Sequence, residues 1–261
     1  MHCIGVIPVR MAASRFPGKP LAPILGMTML EHVYRRARLS DVLEDVLVAT
    51  CDDEIRLEAR RIQAPVIMTS PTHQRAAERV AEAARSCEAE LIVMIQGDEP
   101  LLHPAMLDEL VAPFAEEPEL QCANLMLAID RDEANDPDQI KVVCDGQFNA
   151  LYMSREPVPT PTRGSVEHWW RQIGIIAFRR AFLLNLMSLP STPLERAESV
   201  DMLRPLEYGF TVRMVPTRHA THPVDTPEDL AKVEALMRDD PLLERYAPRA
   251  KTRERVSHVT G

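Results

Sequence analysis

The chain has 261 residues, 46% hydrophobic and 26% charged, which is enough apolar material for one large α/β core. A formal charge of -9 excludes the basic footprint of a general nucleic-acid binder, but it leaves room for a local basic pocket around a small anion. No apolar run of about 18 residues and no secretion pattern is present, which predicts a cytoplasmic protein without a membrane partner. The five cysteines are scattered, lack C-x-x-C spacing and fit reduced, buried thiols.

In chain order, the first half alternates short apolar runs with helical patterns, the rhythm of parallel strands and crossover helices. Strands are predicted near residues 3–9, 45–50, 65–68 and 91–95, and helices over 29–38, 53–63 and 74–86. Further strands are predicted at 121–129, 140–144, 148–153 and 171–179. Pro157, Pro159 and Pro161 mark a loop or extended arm between the last two. Trp169 and Trp170 follow that arm and read as core or dimer packing rather than a base-stacking platform. Thr226-Pro227-Glu228-Asp229 opens a final helix with an N-cap hydroxyl, proline in the first turn and acids at the positive end of the dipole. The expected organisation is one domain over residues 1–240, with an arm at about 155–170 and a loose tail over 241–261.

Two regions carry chemistry. The first strand runs into a loop holding Arg10, Arg15 and Lys19, where guanidinium forks and an ammonium after a Pro-Gly turn could hold a polyphosphate. The plainer reading is a solvated basic turn. Neither G-x-G-x-x-G nor a P-loop sequence occurs. The strand Leu91-Ile92-Val93-Met94-Ile95 ends in Gln96-Gly97-Asp98-Glu99-Pro100, which puts Asp98 where open α/β sheets bind ligands, with Glu99 as a candidate helix cap. Asp225, alone a helix-start residue, becomes a second Mg²⁺ ligand if it faces Asp98 beside substrate phosphates. His219 and His222, three apart and near Asp225, read as pocket-lining residues first and as transition-metal ligands second.

These segments resemble the 3-deoxy-manno-octulosonate (Kdo) cytidylyltransferases, relatives of the CMP-sialic acid synthetases. The likeness rests on Ile7-Pro8-Val9-Arg10 through Leu21, Gln96 to Pro100, Lys141-Val142-Val143, and Ala150-Leu151-Tyr152-Met153-Ser154-Arg155. Thr192-Pro193-Leu194-Glu195 and Val224-Asp225-Thr226-Pro227-Glu228-Asp229-Leu230 extend it. The resemblance implies an α/β fold: a Rossmann-like nucleotidyltransferase sheet, mostly parallel but mixed, with a β-rich extension or dimerisation arm. It implies a homodimer that uses CTP and Mg²⁺ to make a CMP-sugar and pyrophosphate. By matching position, Arg10, Arg15, Lys19, Gln96 and Arg79 would bind the nucleotide, and Asp98 and Asp225 the metal, with Lys19, Asp98 and Asp225 catalytic. Arg75, Tyr152, Arg155, Gln172, Asp201 and Met202 would face the acceptor.

The departures from the family pattern fall on that acceptor side. The family's Ser-Gly-Thr stands here as Arg75-Ala76-Ala77, Gln172 occupies the place of a sugar-contacting histidine, and Met202 replaces a glutamine amide. Such changes predict a pocket altered in charge, volume and hydrogen-bond demand, and weaker use of Kdo. The alternatives are a CTP-dependent transferase for another acidic sugar or a phosphonate, a non-catalytic nucleotide binder, and a retaining glycosyltransferase with Asp52-Asp53 as its acidic pair.

Overall fold

A computed structural model describes residues 1–12, 15–162 and 164–247. Its first half contains β1 (Cys3–Pro8), a hairpin of β2 (Pro23–Ile24) and β3 (Met27–Thr28), α1 (Met29–Ala37), β4 (Asp45–Thr50) and α2 (Asp53–Arg61). It continues with β5 (Val66–Met68), α3 (Ala76–Ala84), β6 (Leu91–Ile95), α4 (Pro104–Val111) and α5 (Pro113–Glu116). The second half holds β7 (Cys122–Ile129), α6 (Arg131–Ala134), β8 (Lys141–Cys144), β9 (Ala150–Ser154), β10 (Trp169–Arg179) and α7 (Arg180–Leu186). It ends with α8 (Pro193–Glu198), α9 (Leu203–Glu207), β11 (Arg213–Thr217), α10 (Pro227–Arg238) and α11 (Leu243–Tyr246).

Nine strands form one sheet whose main path runs β11-β7-β10-β6-β1-β4-β5. β1 lies parallel to β4 and β6, and β11 lies parallel to β7, while β10 runs antiparallel between β6 and β7. All strands of this path except β10 therefore point one way, and the sheet is the mixed, mostly parallel Rossmann-like kind. Every residue of β1 is buried, as a continuous apolar run between two parallel neighbours requires. Its odd positions Cys3 and Ile7 pack under α1, α2 and α4, and its even positions Ile4 and Val6 under α3 and α7. β8 and β9 extend the sheet from the start of β10, with Trp170 opposite Val142. Lys141 anchors this extension: its buried Nζ donates to the carbonyls of Asp136, Gln139 and Arg155 at 2.8, 2.6 and 2.5 Å.

All the strands expected from the sequence are present. The hairpin, α4, α7 to α9 and β11 go beyond them, because short elements carry too few residues for a periodic pattern. β10 begins at Trp169, two residues early. Trp169 is buried against Ile129 and Ala134, and its indole donates to the Pro159 carbonyl at 3.0 Å, which makes it core. The cysteines are all free; burial, with Glu44 nearby, pushes the Cys3 thiol to about 12.

The chain just past Asp240 departs from the expected loose tail, whose last residues, 248–261, lie outside the described residues. Tyr246 is buried, and its hydroxyl meets two side chains of α1: Arg36 Nε donates to it at 3.0 Å and His32 Nδ1 lies 2.8 Å away. The Ile24 carbonyl, 2.8 Å from His32 Nε2, can only accept, so Nε2 carries the proton and Nδ1 accepts from Tyr246. Burial, with Arg36 nearby, holds the His32 pKa below its ordinary value. Tyr246→Phe should leave two buried groups short of a partner and cost about 1–3 kcal/mol, read as a lower urea midpoint with turnover unchanged. A midpoint equal to wild type would show that this turn does not support the fold.

Candidate active site

The loop after β1 and the end of β6 enclose a cleft of about 300 Å³ at the carboxyl ends of these strands. Three backbone contacts shape the loop. Val9 N donates to the Ala49 carbonyl at 3.0 Å, Met11 N to Asp52 Oδ2 at 2.7 Å, and Gly18 N to the Met11 carbonyl at 3.1 Å. Gly18 has φ 75°, the left-handed conformation that glycine adopts without strain, and it delivers Lys19 to the cleft floor. Gly97 is needed for a different reason: a Cβ there would stand 2.2 Å from Val9 Cγ1. The two loops can lie side by side only without that side chain.

At the floor, Lys19 Nζ donates to Asp98 Oδ2 at 2.9 Å and to Asp225 Oδ1 at 3.1 Å. Burial pulls the Lys19 ammonium down, but Asp98 and Asp225 outweigh it and hold its pKa above the ordinary value. The backbone enforces the meeting, since Val224 N donates to the Asp98 carbonyl at 2.9 Å. Thr226 caps α10 with its hydroxyl on Asp229 N, and Asp229 accepts in turn from the amides of Asp225 and Thr226. Arg15 reaches Asp225 at 3.2 Å and Asp138 at 2.5 Å, while Arg10 lies exposed at the rim. Arg79 also lines the cleft, buried and donating to the Thr69 hydroxyl.

A second cleft, of about 260 Å³, adjoins the first and shares Gln74, Arg75, Ala76 and Gln96 with it. Gln172, Asp201 and Met202 line its far wall. Arg75 Nη1 donates to Asp201 at 3.1 Å and to the Ser199 hydroxyl at 3.2 Å. Burial pushes the Asp201 carboxyl above its ordinary range despite Arg75. Gly174 is the second glycine that the site demands: a Cβ there would lie 2.5 Å from Gln96 Cγ, so its absence gives Gln96 room between the clefts.

Residues 4–214 match the cytidylyltransferase family. The 3-deoxy-manno-octulosonate cytidylyltransferase of Solibacter usitatus is 43% identical over 237 residues, covering 90% of this chain and 94% of that protein. The enzyme of that name from Nitratidesulfovibrio vulgaris is 43% identical over 249 residues, covering 91% of this chain and 97% of its own. A solved CMP:2-keto-3-deoxy-manno-octonic acid synthetase complexed with CTP superposes with a TM-score of 0.86 at 37% identity, covering 91% of this chain and 99% of that one. The chain belongs to the cytidylyltransferase family. It is an enzyme of the nucleotidyltransferase class.

In this cytidylyltransferase, Arg75, Gln172 and Met202, the departures expected on the acceptor side, gather on the walls of the second cleft, although they lie far apart in sequence. Tyr152 and Arg155, expected on the acceptor side, line neither cleft. Both converge on Glu198, which takes the Tyr152 hydroxyl at 3.0 Å and the Arg155 amide at 2.9 Å. The Asp52-Asp53 pair also dissolves as a site: Asp52 holds the Met11 amide, and Asp53 faces Arg56 at 2.9 Å. His219 stacks on His103 at 4.0 Å, and His222 faces Asp229 at 3.4 Å. No cluster of three metal-ligating side chains exists among the described residues. Asn124, buried behind Gln172, escaped the sequence reading because a lone asparagine in an apolar strand gives no periodic or motif signal.

Glu99 turns away from the cleft rather than capping α4, where His103 accepts from Ala105 N. It is buried, accepts from the Thr221 hydroxyl, and is driven by burial and the charge of Asp98 to about 7. A carboxyl raised from 4.5 to about 7 keeps its proton in the folded state where the unfolded chain has lost it. Its contribution is therefore present at low pH and is lost as pH rises through that window. Glu99→Gln should gain thermal stability over wild type between pH 5 and pH 8 in metal-free buffer, measured by calorimetry. A constant difference would place the Glu99 titration outside this window.

Proposed function

We propose that this cytidylyltransferase transfers CMP from CTP to 3-deoxy-manno-octulosonate, or to a closely related 3-deoxy-2-ulosonic acid, with release of pyrophosphate. One observation carries the reading: Lys19, Asp98 and Asp225 meet at the floor of a cleft rimmed by Arg10 and Arg15 and continuous with a second cleft. The first cleft gathers the cations that a triphosphate needs, and the second has room for a sugar acid beside it. CTP itself is supported by the ligand in the structural relative's name. A homodimer in the cytoplasm belongs to the same reading.

The chemistry is in-line displacement: the acceptor's anomeric hydroxyl attacks the α-phosphorus, a P–O bond forms, and the bond to pyrophosphate breaks. Arg10 and Arg15 hold and orient the phosphates. Lys19 stays protonated because its acids favour the charged form, and it neutralises charge that develops as pyrophosphate leaves. The donor set suits Mg²⁺. Asp98 and Asp225 offer only hard carboxylate oxygens, both partly exposed and directed at one point, and few protein ligands with several from phosphates is the usual arrangement for that ion. Bound there, Mg²⁺ would lower the pKa of the attacking hydroxyl and offset phosphate charge.

A different acidic acceptor is the second reading, favoured by the Arg75–Asp201 pair, which sets a fixed cation and a half-buried acid into the acceptor wall. Pyrophosphate release from CTP with a panel of 2-keto-3-deoxy acids separates the two. Kdo turned over with kcat/KM at or above about 10⁴ M⁻¹s⁻¹ supports the first. Preference for another acid by a hundredfold would replace it.

Asp98→Asn and Asp225→Asn should each lower kcat/KM by about a hundredfold or more with the fold intact by circular dichroism, since each removes charge from the reacting centre. Near-native turnover in either would sink the metal assignment. Lys19→Ala should both raise the KM for CTP and lower kcat, because a phosphate-facing cation acts in ground and transition states alike. Unchanged constants would make Lys19 a strut between two acids and nothing more.

A further inference from the structure

We infer that Asp138 is a positioning residue for Arg15: its carboxylate competes with phosphate for the guanidinium and so sets how tightly the first cleft binds CTP. This rests on the reading of that cleft as the triphosphate site, where phosphate and carboxylate seek the same N–H groups. Arg15 Nη1 lies 2.5 Å from Asp138 Oδ2, and Nη2 lies 3.2 Å from Asp225 Oδ2. Both terminal nitrogens, the prongs that fork onto a phosphate, are therefore engaged by carboxylates. Asp225 has a second use in that reading, as a metal ligand beside Asp98. Asp138 has no such role, and it is the partner that a phosphate must displace.

The backbone decides which of the two partners yields. Lys141 Nζ donates to the carbonyls of Asp136 and Gln139 at 2.8 and 2.6 Å, Arg155 Nη1 to the Pro137 carbonyl at 2.9 Å, and Arg171 Nη1 to Gln139 Oε1 at 2.9 Å. The Asp138 amide is itself taken by Asp136 Oδ1 at 2.8 Å. Three cations thus pin the loop before β8 on both sides of Asp138, and two of them, Lys141 and Arg171, are buried. Asp138 is a fixed anion beside the cleft. Arg15 is the opposite: its side chain is 48% exposed and has the longer, jointed arm, so it is the part that swings from carboxylate to phosphate. An ion pair between half-exposed partners contributes little, and giving it up to a phosphate lowers affinity by a factor of about two to five.

The test is the Kd for CTP, measured by titration calorimetry in Mg²⁺ buffer without acceptor, for wild type, Asp138→Asn, Arg15→Ala and the double variant. Asp138→Asn removes the competing charge and leaves the backbone contacts of the loop in place. It should bind CTP about two- to fivefold more tightly than wild type, a gain that a merely loosened structure would not give. Asp138→Ala, which also removes the carboxylate, is read beside it, so that misfolding of one variant leaves the test intact. Arg15→Ala should bind more weakly than wild type. Adding Asp138→Asn to it should change Kd by less than about 1.5-fold, because the aspartate then has no guanidinium to withhold. Equal or weaker binding in the Asp138 variants overturns the inference. So does the full gain persisting without Arg15, since Asp138 would then act by repelling phosphate directly. If wild type does not bind CTP, the reading of the cleft is itself wrong. Binding by wild type with no gain in the Asp138 variants leaves that reading standing and removes only the role of Asp138.

Discussion

One ammonium between two carboxylates organises this molecule. Lys19 meets Asp98 and Asp225 across 79 and 206 residues of chain, and each acid sits where the backbone leaves it little choice. Two carboxylates held at one point repel each other, and the ammonium between them turns that repulsion into two ion pairs. The lysine offsets that repulsion from inside the protein. A site that holds opposite charges at its floor needs little rearrangement to receive a triphosphate, because its dipoles and cations already face the ligand.

The site also depends on missing side chains. Gly97 lets the β6 loop lie on Val9, and Gly174 makes room for Gln96 between the two clefts. Close approach of backbone is what sets the two clefts side by side, with Arg75 and Gln96 in their shared wall. Positioning of this kind is the larger part of what phosphoryl transfer asks of a protein.

The C-terminal part of the chain joins the same structure from behind. Ile24, Met29, Val224, Val233 and Met237 form a small core that ties α10, and with it Asp225, to the hairpin that follows Lys19. Arg36 continues the connection, donating to the Leu102 carbonyl at 3.3 Å and pairing with Asp240. The late acid and the early cation are thus mounted on one packed unit, which keeps their distance from depending on the intervening chain.

Much of this was readable in the linear sequence. Alternating apolar runs marked the strands, because a buried parallel strand has no polar face to interrupt it. Thr226-Pro227 marked the start of α10, because capping is local chemistry, and Arg10, Arg15, Lys19, Asp98 and Asp225 stood out because charge at a strand end has no packing use. Tertiary structure alone decided the rest. Tyr152 and Arg155 turned to Glu198, and Asp52 became the support of a loop, since each choice depended on a partner distant in sequence. Tyr246 became part of the core for the same reason, its hydroxyl needing His32 and Arg36. The pairing of Asp138 with Arg15 could not be read at all, because it joins side chains 123 residues apart that only the folded loops bring together, and no single residue carries that information.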